Sequence, residues 1–62
     1  MQVTLTRADQ SGVFALPEGK TTADIQNVLL DGMPTEIVFV KNQTEIDVPA
    51  AQLNSTVTAI FK

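Results

Sequence analysis

Hydrophobic and polar residues alternate with a period of two at the start of the chain, over residues 2–7. Val3 and Leu5 would face one side of an extended segment, and Thr4 and Thr6 would face the other. This alternation predicts a half-buried strand. The first element therefore has one face toward a core.

A polar turn and a second short strand follow. The turn ends at Gly12, which adopts positive φ without a steric penalty. The mostly apolar run Val13–Leu16 predicts a strand, which Pro17 ends because proline has no N–H to donate to a ladder. Since the link is short, the two strands are expected to form an antiparallel hairpin.

The next apolar residues recur at a helical spacing. Ile25, Val28 and Leu29 stand at positions i, i+3 and i+4, which places them on one stripe of a helix. This spacing predicts one amphipathic helix over residues 22–31, the only helix in the chain.

Residues at both ends of this segment match helix boundary signals. Thr21 followed by Asp24 resembles a capping box, although Asp is the weaker choice at the second position. Asp31-Gly32 supplies a C-terminal stop, and Pro34 follows shortly afterwards.

Three further strands are predicted in the second half. Four consecutive apolar residues, Ile37–Val40, lie within the segment Thr35–Lys41 and predict a central strand that the helix covers. Glu45–Val48 alternates and predicts a short edge strand, while residues 49–53 predict a single helical turn. Thr56–Phe61 predicts the last strand.

The order of elements is strand, strand, helix, strand, short strand, strand. It predicts an α+β fold: one small β-grasp-like domain over residues 1–62, with a mixed sheet of four or five strands and one packed helix. An all-β barrel or sandwich is the alternative, and it requires residues 22–31 to be extended.

The segments that carry a family resemblance cover nearly the whole chain: Met1-Gln2-Val3, Leu16-Pro17, Gly19-Lys20-Thr21, Ile25–Leu29, Ile37–Asn42 and Val57–Phe61. In this order they resemble the ubiquitin-like superfamily, most closely the small bacterial sulfur carriers of the ThiS and MoaD type. The resemblance implies a flexible Gly-Gly tail whose terminal carboxylate is activated, whereas this chain has no glycine after Gly32. A ubiquitin-like or sulfur-carrier protein that lacks its Gly-Gly tail is therefore the alternative functional hypothesis.

Charge and hydropathy narrow the classes of partner. The 62 residues carry a net charge of −3, which would repel a phosphate backbone, so no nucleic-acid partner is expected. The longest apolar run has four residues, too short for a membrane span. The first residues lack the basic and apolar regions of a signal peptide, so a cytoplasmic or virion-associated location is expected.

The residue types leave little room for catalysis. The chain has neither Cys nor His, which excludes thiolate chemistry, Cys/His zinc sites and a serine activated by imidazole. Gly19-Lys20-Thr21 matches the end of a phosphate-binding loop, but Phe14 stands where that pattern needs glycine. Glu45 and Asp47 would lie on one exposed strand face rather than around a metal. The prediction is a protein that is not an enzyme and has no cofactor or metal.

Low charge on a small body indicates either a β-rich domain with a Thr, Gln and Asn surface or a surface that is covered by copies of itself or by a partner. Charged residues make up 18 % of the chain, against about 25 % in typical globular domains. We therefore interpret the protein as a non-catalytic protein-interaction or assembly module, with a protein partner or self-association. A small phage structural or virion accessory protein is the setting that this composition favours.

The predicted interface is the sheet face that the helix leaves open. Its candidate residues are an apolar set with a threonine rim and one aromatic residue that would point away from the helix: Val38, Val40, Ile60, Thr4, Thr6, Thr58 and Phe14. The alternative is that the loop at residues 49–53, or the twist of the sheet, covers this patch within the monomer.

Overall fold

The regular secondary structure of the protein consists almost entirely of short strands. The computed structural model describes the backbone of residues 1–62 and the side chains of 1–49 and 51–62. The strands in chain order are β1 (Gln2–Thr4), β2 (Thr6–Arg7), β3 (Val13–Ala15), β4 (Ile25–Leu30), β5 (Met33–Thr35), β6 (Glu45–Asp47) and β7 (Val57–Phe61). Two single 3₁₀ turns lie at Thr22–Asp24 and Ala50–Gln52.

The strands form two antiparallel sheets. The larger sheet has the order β1-β7-β4-β5, and the smaller has the order β2-β3-β6. In the larger sheet Val3 lies opposite Ala59, and Val28 lies opposite both Ala59 and Thr35. Every strand pair in both sheets is antiparallel, so the expected mixed sheet is not present.

The first predicted strand contributes to both sheets. It divides at Leu5, whose N–H donates to the Val57 carbonyl at 2.8 Å and whose side chain is buried. β1 therefore pairs with β7 before this residue, while β2 pairs with β3 after it. The predicted hairpin of the first two strands is confirmed between β2 and β3.

The predicted packed helix is wrong, and with it the α+β, β-grasp-like fold class. Residues 22–24 form one 3₁₀ turn, and residues 25–30 are strand β4. The predicted capping pair is present, since the Asp24 carboxylate accepts a hydrogen bond from Thr21 N at 2.9 Å. The backbone becomes extended again at Ile25, so this pair caps a single turn.

A β-bulge explains why the sequence imitates a helix here. The register of β4 against β7 shifts between Ile25 and Asn27, which inserts Gln26 as an extra residue. The bulge brings Ile25 and Val28 to the same buried side of the strand, three positions apart. Leu30 is also buried and restores the period of two. The apolar spacing i, i+3 therefore arises from an irregular strand.

The predicted central strand Thr35–Lys41 is also wrong in most of its length. Only Thr35 belongs to a strand, at the end of β5, and residues 36–40 leave the sheet. Continued pairing with β4 would bring Glu36 opposite Asn27, where the bulge has already disrupted the ladder. The middle of the larger sheet is instead formed by β7 and β4.

The core lies between the two sheets. It is formed by buried apolar side chains from both: Leu5, Phe14, Ile25, Val28, Leu30, Ile46, Val48, Val57, Ala59 and Phe61. The Cα radius of gyration of 10.4 Å agrees with the value of about 10.6 Å expected for a folded domain of this length. The chain thus packs as one small all-β domain, the alternative that the sequence left open.

Candidate functional site

Residues 36–40 form the most exposed apolar stretch of the described side chains; we call them the 36–40 segment. They run without a turn or bend, and their exposure alternates as in a strand. Val38 is 97 % exposed and Val40 is 60 % exposed. Ile37 and Phe39 are half-buried and pack against the core. The segment therefore has one face on the protein and the other in solvent.

Both ends of the 36–40 segment are held in place. Its start continues from the last residue of β5, Thr35, which pairs with Val28. At its end the Val40 carbonyl accepts a hydrogen bond from Thr22 Oγ1 at 2.6 Å. The Thr22 side chain is buried, and the main-chain N–H of Thr22 donates to the Gln43 carbonyl at 2.8 Å. The 3₁₀ turn at Thr22–Asp24 therefore holds the C-terminal end of the segment, while β5 holds its N-terminal end.

The main chain of this segment has unused hydrogen-bonding groups. No hydrogen bond joins the backbone of residues 36–39 to any residue that the structure describes. In β5, by contrast, the free edge is blunted by Pro34, which has no N–H to offer to another strand. The protected edge of the sheet therefore ends at Thr35, and main chain without hydrogen-bond partners begins at Glu36.

An open pocket separates the 36–40 segment from β4. It has a volume of about 580 Å³ and is lined on one side by Gln26, Asn27 and Val28, and on the other by residues 34–39. The pocket begins where the β4–β5 pairing ends at Val28 and Thr35, beside the bulge in β4. Gln26 and Asn27 were expected on a helix, so the sequence did not predict them as lining residues. The Asp31-Gly32 hairpin turn was the signal that would have placed them in a strand.

The structure distributes the predicted interface residues over separate parts of the molecule. Val38, Val40, Thr4 and Thr6 are exposed, and Ile60 is half-buried. Thr58 and Phe14 are buried, with 7 % and 4 % exposure. Thr4 lies on β1, and β1 and β5 are opposite edges of the larger sheet. Only Val38 and Val40 lie on the same segment with both side chains exposed.

Phe14 is a core residue rather than a residue available to a partner. Its ring packs with the buried apolar cluster, and the Arg7 guanidinium lies 5.7 Å from the ring centroid. A second cation, Lys20, lies 5.9 Å from the centroid of Phe61. These cation–π contacts place two of the four basic residues over core aromatics.

The carboxylates are dispersed, and Asp9 stabilises a local turn. Asp9 accepts hydrogen bonds from the hydroxyl and the N–H of Ser11, the latter at 2.7 Å. These bonds hold the pKa of Asp9 below its ordinary value of 3.8, because they favour the charged form. Among the described residues, no three His, Cys, Asp or Glu side chains are grouped as metal ligands would be.

Comparison with models of protein families, with curated proteins and with solved structures finds no match for this chain. The resemblance to the ubiquitin-like superfamily stays a prediction, and the helix it relied on does not form. In the described part of the chain, no helix has the length and apolar character needed to cross a bilayer.

Proposed function

We propose that the protein is a non-catalytic protein-interaction or assembly module that binds through the 36–40 segment. The observation that carries this proposal is the 97 % exposure of Val38 at the centre of an extended, unpaired segment. Exposed apolar side chains on a free edge favour association with another chain.

The mode of binding that fits this segment is the addition of a strand. An extended partner can bond to the free main-chain groups of residues 36–39, while its side chains contact Val38 and Val40. Main-chain bonds would supply affinity, and the two valines would select apolar side chains on the partner.

The setting that we favour is a protein assembly, such as a phage particle in which this chain is a small structural or accessory component. Low charge and exposed apolar residues on a body of 62 residues support this setting, because such surfaces are usually covered in complexes.

Cross-linking in the cells that produce the protein tests the proposal. Lys41 directly follows the segment and is exposed, so an amine-reactive cross-linker can report a chain bound there. We expect mass spectrometry to find Lys41 joined to a second polypeptide chain in the wild type. Val38→Asp should reduce this product at least tenfold, because it replaces the apolar side-chain contact at the centre of the segment with a charged group that pairs poorly with an apolar partner side chain.

The matched control is Met33→Asp, which changes an exposed apolar residue (69 %) on the free edge of β5. It should leave the Lys41 product unchanged. An equal yield from Val38→Asp and wild type would contradict the proposed surface.

A further inference from the structure

The 36–40 segment has a sequence that is complementary to itself in the antiparallel direction. It begins with the acidic Glu36 and is followed immediately by the basic Lys41, with only apolar residues between them. When two copies run antiparallel, the acidic end of one lies beside the basic end of the other. A parallel arrangement would instead place like charges side by side, which is unfavourable.

We infer that the partner of the 36–40 segment is a second copy of this chain, paired antiparallel about a two-fold axis at Val38. This inference rests on the proposed function and names its partner. The axis places Val38 opposite Val38 of the partner copy, and Glu36 opposite Val40. The two Glu36 residues are then four positions apart along the strands, about 14 Å.

The half-buried residues fit the same register. Ile37 lies opposite Phe39 of the second copy, on the face that packs against each core. The joined strands therefore present two apolar pairs toward the cores and the Val38 pair toward solvent. Cross-strand pairs of β-branched and aromatic residues stabilise antiparallel sheets.

The pairing closes at two copies and is expected to be weak. Each chain has one such segment, so an isologous contact uses it completely and leaves none for a third copy. Five residues from each chain bury less than the standard interface of about 1,600 Å². A dimer that forms at about 10–500 μM protein is therefore expected from the size of the contact.

Single cysteines provide a direct test, because the natural chain contains none. The purified protein is used at about 500 μM, the upper end of the range in which the dimer is expected. Under mild oxidation Val38→Cys should form a disulfide-linked dimer, because the Cα atoms of directly opposite residues lie about 4.5–5.5 Å apart. Val40→Cys alone should not, because its two copies would be about 14 Å apart, beyond disulfide reach. A mixture of Glu36→Cys and Val40→Cys should yield the mixed dimer. Circular dichroism of each variant confirms that it is folded.

Met33→Cys is the collision control, with a similar exposed apolar side chain outside the segment. A yield from Val38→Cys at least fivefold above this control supports the pairing. Equal yields, or wild type that stays monomeric in sedimentation at 1 mM, would overturn it. Species larger than a dimer would overturn it as well. If self-pairing fails while the Val38-dependent product of Lys41 in cells persists, the partner is a different protein and the proposed function stands. Loss of both results removes both proposals.

Discussion

Gly12 is the buried last residue of an otherwise exposed turn that connects β2 to β3. Its φ is +94°, and its carbonyl accepts the N–H of Val48 at 3.0 Å. A Cβ at this position would lie 2.8 Å from both the Val48 carbonyl oxygen and Leu53 Cδ2. Only glycine therefore fits here, for reasons of conformation and of space together.

Gly12→Ala should lower the free energy of unfolding by about 2–4 kcal/mol, combining the cost of positive φ with that of overpacking. Urea denaturation followed by circular dichroism measures the change.

Gly19→Ala separates the two causes. Gly19 has a φ of +81° but open space around it, so this variant should lose only about 1 kcal/mol. Equal losses in the two variants would mean that the Leu53 and Val48 contacts cost nothing.

Residue patterns predicted some burial but not all of it. The alternation at Val3 and Leu5 gave the correct inward face. The prediction that Phe14 points outward, away from the expected helix, is wrong, because its side chain is only 4 % exposed. Which side of a short strand is buried depends on the second layer, and here that layer is another sheet.

At the scale of elements, the hairpin of β4 and β5 is the feature that decides the fold. Asp31 and Gly32 have φ values of +51° and +81°, the positive pair that a two-residue type I′ turn requires. The Asp31 carboxylate also accepts the Thr56 N–H at 2.9 Å, which ties the turn to the start of β7.

Replacing this carboxylate tests the turn. Asp31→Ala should destabilise the protein by about 1–2 kcal/mol, because alanine disfavours positive φ and cannot accept the Thr56 N–H. Asp31→Asn should stay within about 0.5 kcal/mol of wild type, since asparagine keeps the acceptor and tolerates positive φ. Thermal or urea unfolding of both variants measures the difference, and equal destabilisation would show that the side chain has no such role.

The sequence of this element is compatible with both a helix and a hairpin, and the predicted helix is wrong. Asp-Gly between apolar runs is a strong hairpin signal as well as a helix stop. The extra residue at the bulge, Gln26, places the buried residues Ile25 and Val28 three positions apart, which is the spacing that predicts a helix. One inserted residue changes the apparent period of a six-residue strand, so periodicity could not distinguish the two structures.

The same error limited the prediction of the site. Val38 and Val40 are exposed as predicted, because alternation places their side chains on the other face of the segment from Ile37 and Phe39. They were expected on a central strand, however, and the free main chain of residues 36–39 follows from the disrupted pairing with β4. A pattern of side chains does not report which main-chain groups remain without a partner.

At the scale of the whole molecule, two sheets share a single continuous segment and enclose one core. The predicted edge strand near residue 46 is confirmed, since β6 borders the smaller sheet. The final strand, β7, lies between β1 and β4, so both of its hydrogen-bonding edges are paired, and four of its five residues are buried. That central position follows from which strands pair, a long-range property that local patterns do not contain.

The pairing of β1 with β7 also determines how the chain must acquire its structure in time. Gln2 lies opposite Ile60, so almost the entire chain forms a loop that has to close before the larger sheet is complete. The entropy of closing such a loop is lost before its contacts form, and folding slows as a result. We expect refolding in about 10 ms to 1 s by stopped-flow circular dichroism, slow for a chain of 62 residues.

A circular permutant provides the comparison. Joining the ends by a short linker and opening the exposed loop at Glu18–Gly19 turns β1 and β7 into neighbours in sequence. This rearrangement should accelerate folding at least tenfold, because the longest closure becomes a local hairpin. Equal rates for both chains would mean that another step limits folding. The pairing of β1 with β7 therefore determines how long the apolar segments stay accessible to other molecules each time the chain folds.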